Sequence, residues 1–218
     1  MRFASTIMLV RPDTGGTIEV FMLRRSGQSA FAPDAFVFPG GTVDDEDFSH
    51  NSWDDGRVKA EFRAVIPGNL PASEPPVGPR EARALVNAAV RELKEEANIR
   101  VEPAAIHLFS HWITPPTESR RYNTHFFIAR ADASHVGIAD RIETHDERWL
   151  SPANALQLHR EERLHLVYPT IKHLERLAAF RDIDSLLAFA MHKPIVTIMP
   201  DTAPHEGFVM PPSLEGAW

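Results

Sequence analysis

The sequence contains no cysteine. That excludes a disulfide scaffold, thiol catalysis and thiolate-bound metals. It also fits a reducing compartment, and a cytoplasmic location is the expectation. Long apolar runs are missing too: none approaches the ~20 residues that span a bilayer, so no membrane partner is expected. Met1-Arg2-Phe3-Ala4-Ser5-Thr6 shows no secretory pattern, and Glu215-Gly216-Ala217-Trp218 shows no targeting signal. Positive charge is in short supply. Lys and Arg number 23 against 30 Asp and Glu, a net charge of −7 with histidine neutral. Sequence-independent nucleic-acid binding neutralises phosphates with basic residues, so no nucleic-acid partner is expected.

What is present is a globular composition over 218 residues, 43% apolar and 24% charged, with 18 prolines. Residues 3–10 and 17–24 read as two strands of a hairpin, with the turn at Pro12-Asp13-Thr14-Gly15-Gly16. Ala35-Phe36-Val37-Phe38 reads as a short strand running into a Pro39-Gly40-Gly41 turn. Residues 44–80 open on the acidic run Asp44-Asp45-Glu46-Asp47 and are crowded with Pro67, Pro71, Pro75, Pro76 and Pro79. A short helix is expected near 57–65, within an insertion too small to enclose its own core.

The clearest helix covers 81–97. Leu85, Val86, Ala89, Val90, Leu93 and Ala97 recur at three- and four-residue spacing, with Asn98 placed to end it. Strands follow at 105–113, 123–130 and 147–150, and Ser151 caps a helix that begins with Pro152. A second amphipathic pattern runs from 161 to 180, where Pro169 should kink or split it, and another short helix spans 183–192. Pro194–Pro200 reads as a strand, and Phe208-Val209-Met210 as a loop or short strand. The apolar face of the C-terminal helices either covers the sheet or pairs with a second copy as a homodimer. The expected fold class is α/β, a mixed sheet flanked by helices in one domain spanning 1–218.

The chemistry centres on Arg91-Glu92-Leu93-Lys94-Glu95-Glu96. On a helix, Glu92, Glu95 and Glu96 share one face, where like charges repel by roughly 0.2–0.5 kcal/mol per pair. Three close carboxylates offer the hard oxygen ligands that Mg2+ or Mn2+ prefers. A solvated acidic face accounts for the same letters.

Together with Phe38-Pro39-Gly40-Gly41, this segment resembles the Nudix hydrolase signature: a Gly-Gly turn, a spaced Glu, then Arg-Glu-apolar-x-Glu-Glu-x-Gly-apolar. Arg91 to Ile99 matches the second half except at Asn98, which stands for Gly. The spaced Glu is expected at position 83, where Arg83 stands, with Glu81 two residues away. The insertion splits the signature between Gly41 and the helix. The resemblance covers about 3–155, leaving about 156–218 as a helical extension, and implies an α/β/α sandwich. It also implies that Glu92, Glu95 and Glu96 hold divalent ions, with the Gly40 carbonyl completing the shell and Arg91 orienting the carboxylates. A further loop acid, Glu143 or else Glu147, would be general base or extra ligand. The implied reaction is metal-assisted hydrolysis of a diphosphate, in which a metal-bound water loses a proton and attacks phosphorus.

The upstream segment Phe21-Met22-Leu23-Arg24-Arg25-Ser26, Phe31-Ala32-Pro33 and Phe36–Gly41 looks like the peroxisomal coenzyme A diphosphatase branch and its bacterial relatives. So do His111-Trp112-Ile113-Thr114-Pro115 and Arg120-Arg121-Tyr122. A related coenzyme A signature matches at Arg25, Ser26 and Phe38–Gly41 but not at Ala30 and Asp34. Arg24, Arg25, Arg120 and Arg121 are candidate phosphate contacts, and Trp112 either stacks on a base or packs in the core. His111, His125 and His145 read as packing or surface residues, and the scattered His159, His165 and His173 do not form a zinc pattern. The expected partner is a small nucleotide-type diphosphate, coenzyme A or an acyl-CoA first. Arg83 and Asn98 motivate an alternative, a weakened domain that binds a nucleotide as sensor or scaffold. A remote third is an isomerase of allylic diphosphates.

Overall fold

The structure is a computed structural model. It describes all residues except 30, 31, 51, 63, 64, 67, 69–76, 133, 134 and 204–206, and only the backbone of 65 and 66. Ala30, Phe31 and the prolines at 67, 71, 75 and 76 therefore lie outside the described residues.

The chain opens with β1 (Arg2–Pro12) and β2 (Ile18–Arg25), an antiparallel pair. Asp13 builds the turn by accepting from the Gly15 and Thr17 amides and the Thr17 hydroxyl. β3 (Phe36–Val37) and β4 (Gly40–Thr42) follow, then a 3-10 turn (Asp45–Ser49), α1 (Asp55–Phe62) and β5 (Val65–Ile66). Next come α2 (Pro79–Ala97), β6 (Ile106–Ile113), β7 (Tyr122–Arg130) and β8 (Thr144–Leu150). The C-terminal part contributes α3 (Pro152–Arg160), α4 (Tyr168–Leu177), α5 (Ile183–His192), β9 (Ile195–Ile198), and the β10 (Asp201–Ala203) and β11 (Gly207–Val209) pair.

Among the described residues the strands form a nine-stranded mixed sheet ordered β3-β2-β1-β7-β6-β9-β5, with β4 paired to β1 and β8 to β2. β1 runs parallel to β7 from Arg2 beside Tyr122 to Val10 beside Arg130. Both faces of these strands are covered, as their near-continuous apolar stretches require. Ile7, Leu9 and Phe127 pack into one layer with Leu85, Val86 and Leu93 of α2 and with Trp53 and Val58 of the insertion. Met8, Val10 and Ile128 pack into the other with Leu174, Leu177, Ile183, Leu186 and Trp218. The result is an α/β/α sandwich. The extension's apolar face is turned onto the sheet. Among the described residues, no helix is long and apolar enough to cross a membrane.

α2 sits close to the sheet because Ala82, Ala84, Ala88 and Ala89, all fully buried, leave room for it. Ser5 of β1 seals the approach by donating from its hydroxyl to the Leu85 carbonyl at 2.6 Å. Asn98 ends the helix in the left-handed region, φ 52° and ψ 31°, as its position predicts.

Three expectations are corrected. Gly40–Thr42 is a strand, not a turn, because β1 offers it a ladder from Ala4 to Thr6. Pro169 neither kinks nor splits a helix; it lies in the first turn of α4, where a missing N–H costs nothing. The late Trp-containing strand begins at Thr144, because it pairs with β2 over a longer stretch than its apolar residues mark.

Candidate active site

The C-terminal half of α2 faces β4. The two glycines there are set by close approach. A Cβ on Gly40 would lie 2.3 Å from the Ser5 carbonyl oxygen, and one on Gly41 would lie 2.1 Å from Glu92 Oε1. The Gly40 amide donates to Glu96 Oε2 at 2.9 Å.

Glu96 is buried, 3% exposed. Burial pushes its carboxyl up to about 8, with the Gly40 amide opposing and Glu92 adding repulsion. Burial also raises Glu92, against the pull of Arg91. Glu95 is exposed. A neighbouring divalent cation would reverse both upward shifts.

Arg91 organises the cluster. Its Nε and Nη2 grip Asp47 at 3.1 and 2.9 Å, Nη1 donates to Glu92 Oε1 at 2.9 Å and to Glu95 Oε2 at 3.0 Å, and Nη2 also reaches the Thr42 carbonyl at 3.0 Å. Five donors meet five acceptors. The Asp47 hydrogen bonds raise its pKa most, and partial burial opposes them. Asp47 itself is 2% exposed. Sequence reasoning missed it; its signal was the acidic run after Gly41, which reads equally well as a solvated loop.

Arg83 and Glu81 do not join this cluster. Arg83 donates from Nε to the Trp53 carbonyl at 2.7 Å and pairs with Asp55, so it fastens the insertion to α2. Glu81 lies eleven residues before Glu92, about 16 Å along the helix axis at 1.5 Å per residue. It is absent from the wall of the cavity described next.

The acids open onto a cavity of about 1120 Å³. Glu92, Glu95 and Glu96 line it beside Gly40, Gly41 and Arg91. Glu143, from the loop before β8, lines it too and adds repulsion to Glu92 and Glu96. Glu147 instead pairs with Arg141 and stands off the wall.

The arginine doublets divide. Arg25 lines the cavity and exerts an attraction on Glu96, whereas Arg24, next along the strand, points away towards Asp146. Arg120 lines it, while Arg121 donates to the Thr114 carbonyl at 3.0 Å outside it. Trp112 is both wall and core. It is 3% exposed and lies edge-on to Phe126, Tyr168 and Trp218, with an indole Nε1 that has no acceptor among the described residues. Tyr168 and Phe208 of the extension continue the wall beyond it.

The sandwich matches known structures. A NUDIX hydrolase from Alicyclobacillus acidocaldarius aligns with a TM-score of 0.65 at 21% identity, covering 86% of this chain and 96% of that one. The fold is that of the Nudix hydrolases. The NUDIX domain of Shewanella oneidensis NrtR, crystallised with ADP ribose, aligns with a TM-score of 0.52 at 15% identity, covering 81% of this chain and 85% of that domain. No family model matches the chain. By sequence, the chain is 24% identical to a Xenopus laevis protein named acyl-coenzyme A diphosphatase NUDT19, over 80% of its own length. It spans 63% of that relative. In fold, then, the chain resembles the Nudix hydrolases, and in sequence a coenzyme A diphosphatase.

Among the described residues, no three acidic or imidazole groups converge into a ready-made metal cluster. The donor chemistry nonetheless fits a hard divalent ion: two carboxylates of α2 are pushed upward by burial, and the Arg91 fork is shared between Glu92 and Glu95.

Proposed function

We propose that the protein hydrolyses the diphosphate bond of a nucleoside-diphosphate-linked substrate, coenzyme A or an acyl-CoA first, with Mg2+ or Mn2+. The observation that carries this reading is one cavity lined by Glu92, Glu95 and Glu96, by Glu143 from the loop before β8, and by Arg25 and Arg120. A bound divalent ion would supply an acidified water and neutralise charge on the leaving phosphate. Glu92, Glu95 and Glu96 would hold it. Glu143 would take the proton of the attacking water. Arg25 and Arg120 would offset the substrate's phosphate charge.

The cavity volume suits more than a diphosphate. Pockets for drug-sized ligands run to ~300–1,000 Å³, and this one extends past the acids to the aromatic wall of Trp112, Tyr168 and Phe208. That wall favours a substrate with a long, weakly polar arm, which coenzyme A has. The name of the Xenopus laevis relative supports the same choice.

A second reading is a nucleotide-binding sensor. The engagement of Glu92 and Glu95 by Arg91 favours it, since both acids are already partnered. A panel of diphosphates, assayed with Mg2+ and Mn2+ and read by product mass, decides between them. Turnover abolished by chelator and restored by metal is expected. Micromolar nucleotide binding without hydrolysis would transfer the case to the sensor.

A further inference from the structure

Glu143 sits on a loop whose apolar side chains stand in solvent. Val136, Ile138 and Ile142 are 70%, 54% and 79% exposed. Yet the loop is fastened at successive residues. The Trp149 indole donates to the Val136 carbonyl at 2.9 Å. Gly137, at φ 75°, sits so near Phe21 that a Cβ would fall 2.4 Å from its ring. The Ile138 amide bonds to Ala97 at 2.8 Å and the Asp140 amide to Glu96 at 3.1 Å, so the loop hangs on the end of the carboxylate helix.

The last fastening is a side chain. Asp140 Oδ1 accepts from the amides of Ile142, Glu143 and Thr144 at 3.0, 3.1 and 2.9 Å and from the Thr144 hydroxyl at 3.1 Å. Oδ2 receives the Glu143 amide as well, at 3.2 Å. The Ile142 and Glu143 amides would otherwise face water; Asp140 holds the peptide that enters Glu143, as the Ser26 amide, donating to the Glu143 carbonyl at 2.8 Å, holds the one that leaves it. The carboxylate lies on the wall of the same acid-lined cavity. Its acceptor capacity is what the position uses.

We infer that Asp140 is a positioning residue for Glu143: it fixes the backbone from which Glu143 reaches the reacting water. This rests on the general-base reading of Glu143 and adds a residue that does not itself touch substrate. A misplacement of about 1 Å can cost around a hundredfold in rate, so the effect belongs in turnover.

The test uses the full chain with Asp140→Ala and Asp140→Asn. Asparagine keeps the oxygen that takes most of the bonds. The expected result is a kcat about ten- to a hundredfold lower for Asp140→Ala with KM within about twofold, and rescue to within about threefold by Asp140→Asn. In a Glu143→Gln background, Asp140→Ala should then cost less than about twofold more, because residues acting as a unit are not additive. Amide hydrogen exchange at 142–144 should quicken in Asp140→Ala by more than any fall in global stability accounts for. Full turnover in Asp140→Ala, independent losses in the double variant, or unchanged exchange at 142–144 would each overturn the inference while leaving the hydrolase reading intact. A wild-type chain that hydrolyses no diphosphate would remove that reading, and with it any proton for Asp140 to help place.

Discussion

Arg91 shows how much one side chain can hold. Its fork joins Asp47, at the start of the insertion, to Glu92 and Glu95 of its own helix. Lysine keeps the charge but cannot span these partners, and Asp47 would remain buried beside a point charge. Arg91→Lys should cost about 3 kcal/mol in urea unfolding as well as activity. Gly41→Ala should behave differently. Its Cβ would displace the flexible Glu92 carboxylate, so turnover should fall about tenfold while stability moves by less than about 1 kcal/mol. Equal losses of stability in the two variants would contradict this account of Gly41.

Lys193 gives a pH signature far from the acids. Burial, then Arg176, lowers its ammonium from 10.5 to about 7, and its Nζ donates to the Phe109 carbonyl. Between about 7 and 10.5 the unfolded chain therefore holds more protons at this position, and stability from Lys193 rises with pH through that window. The slope approaches ~1.4 kcal/mol per pH unit for a single group. Lys193→Met should flatten that alkaline rise in melting temperature. A rise that survives the substitution would assign it to another group.

At the scale of elements, regular periodicity was legible and non-local pairing was not. The apolar spacing of α2 and the apolar runs of β1 and β2 are local properties, so their residues announce them. Gly40–Thr42 is a strand only because Ala4–Thr6 lies beside it, and nothing in Pro39-Gly40-Gly41 records that neighbour. Asp47 was hidden for a similar reason: its partner stands beyond the whole insertion. The doublet Arg24-Arg25 marked the cavity, but the alternation of β2 decides which member faces it. Asp140 left no motif, since all but one of its hydrogen bonds come from backbone amides. The buried His173 joins two elements, with Nδ1 donating to the Pro169 carbonyl at 2.6 Å and Nε2 accepting from the Ser110 hydroxyl at 2.6 Å. Burial lowers it to about 3 from 6.5, so the contribution of this neutral imidazole is complete above 6.5 and is lost as pH falls towards 3. Hydrogen exchange in α4 should accelerate below pH 6.5 before that in α2; the reverse order would remove His173 from the explanation.

For the whole molecule, the helical extension builds one of the two core layers against the sheet and is not an appendage. The layer formed by Leu174, Leu177, Ile183 and Leu186 covers Met8, Val10 and Ile128 of the central strands. A chain ended at residue 155 would expose that face. It should not fold, and size exclusion should find it aggregated; a soluble monomer with a cooperative melt would show the sheet sufficient without the extension.

The parallel pairing of β1 with β7 also governs how the molecule is made. Arg2 to Val10 leave the ribosome long before Tyr122 to Arg130, more than half the chain later. Until then β1 can close its antiparallel side with β2 and β4. Its other edge waits open, apolar and able to pair with any strand that arrives. Contacts so distant in sequence form slowly, and a half-built sheet is most exposed to aggregation during that wait. Substitutions in β7 should therefore tell first in the yield of newly synthesised protein, even where the finished fold tolerates them.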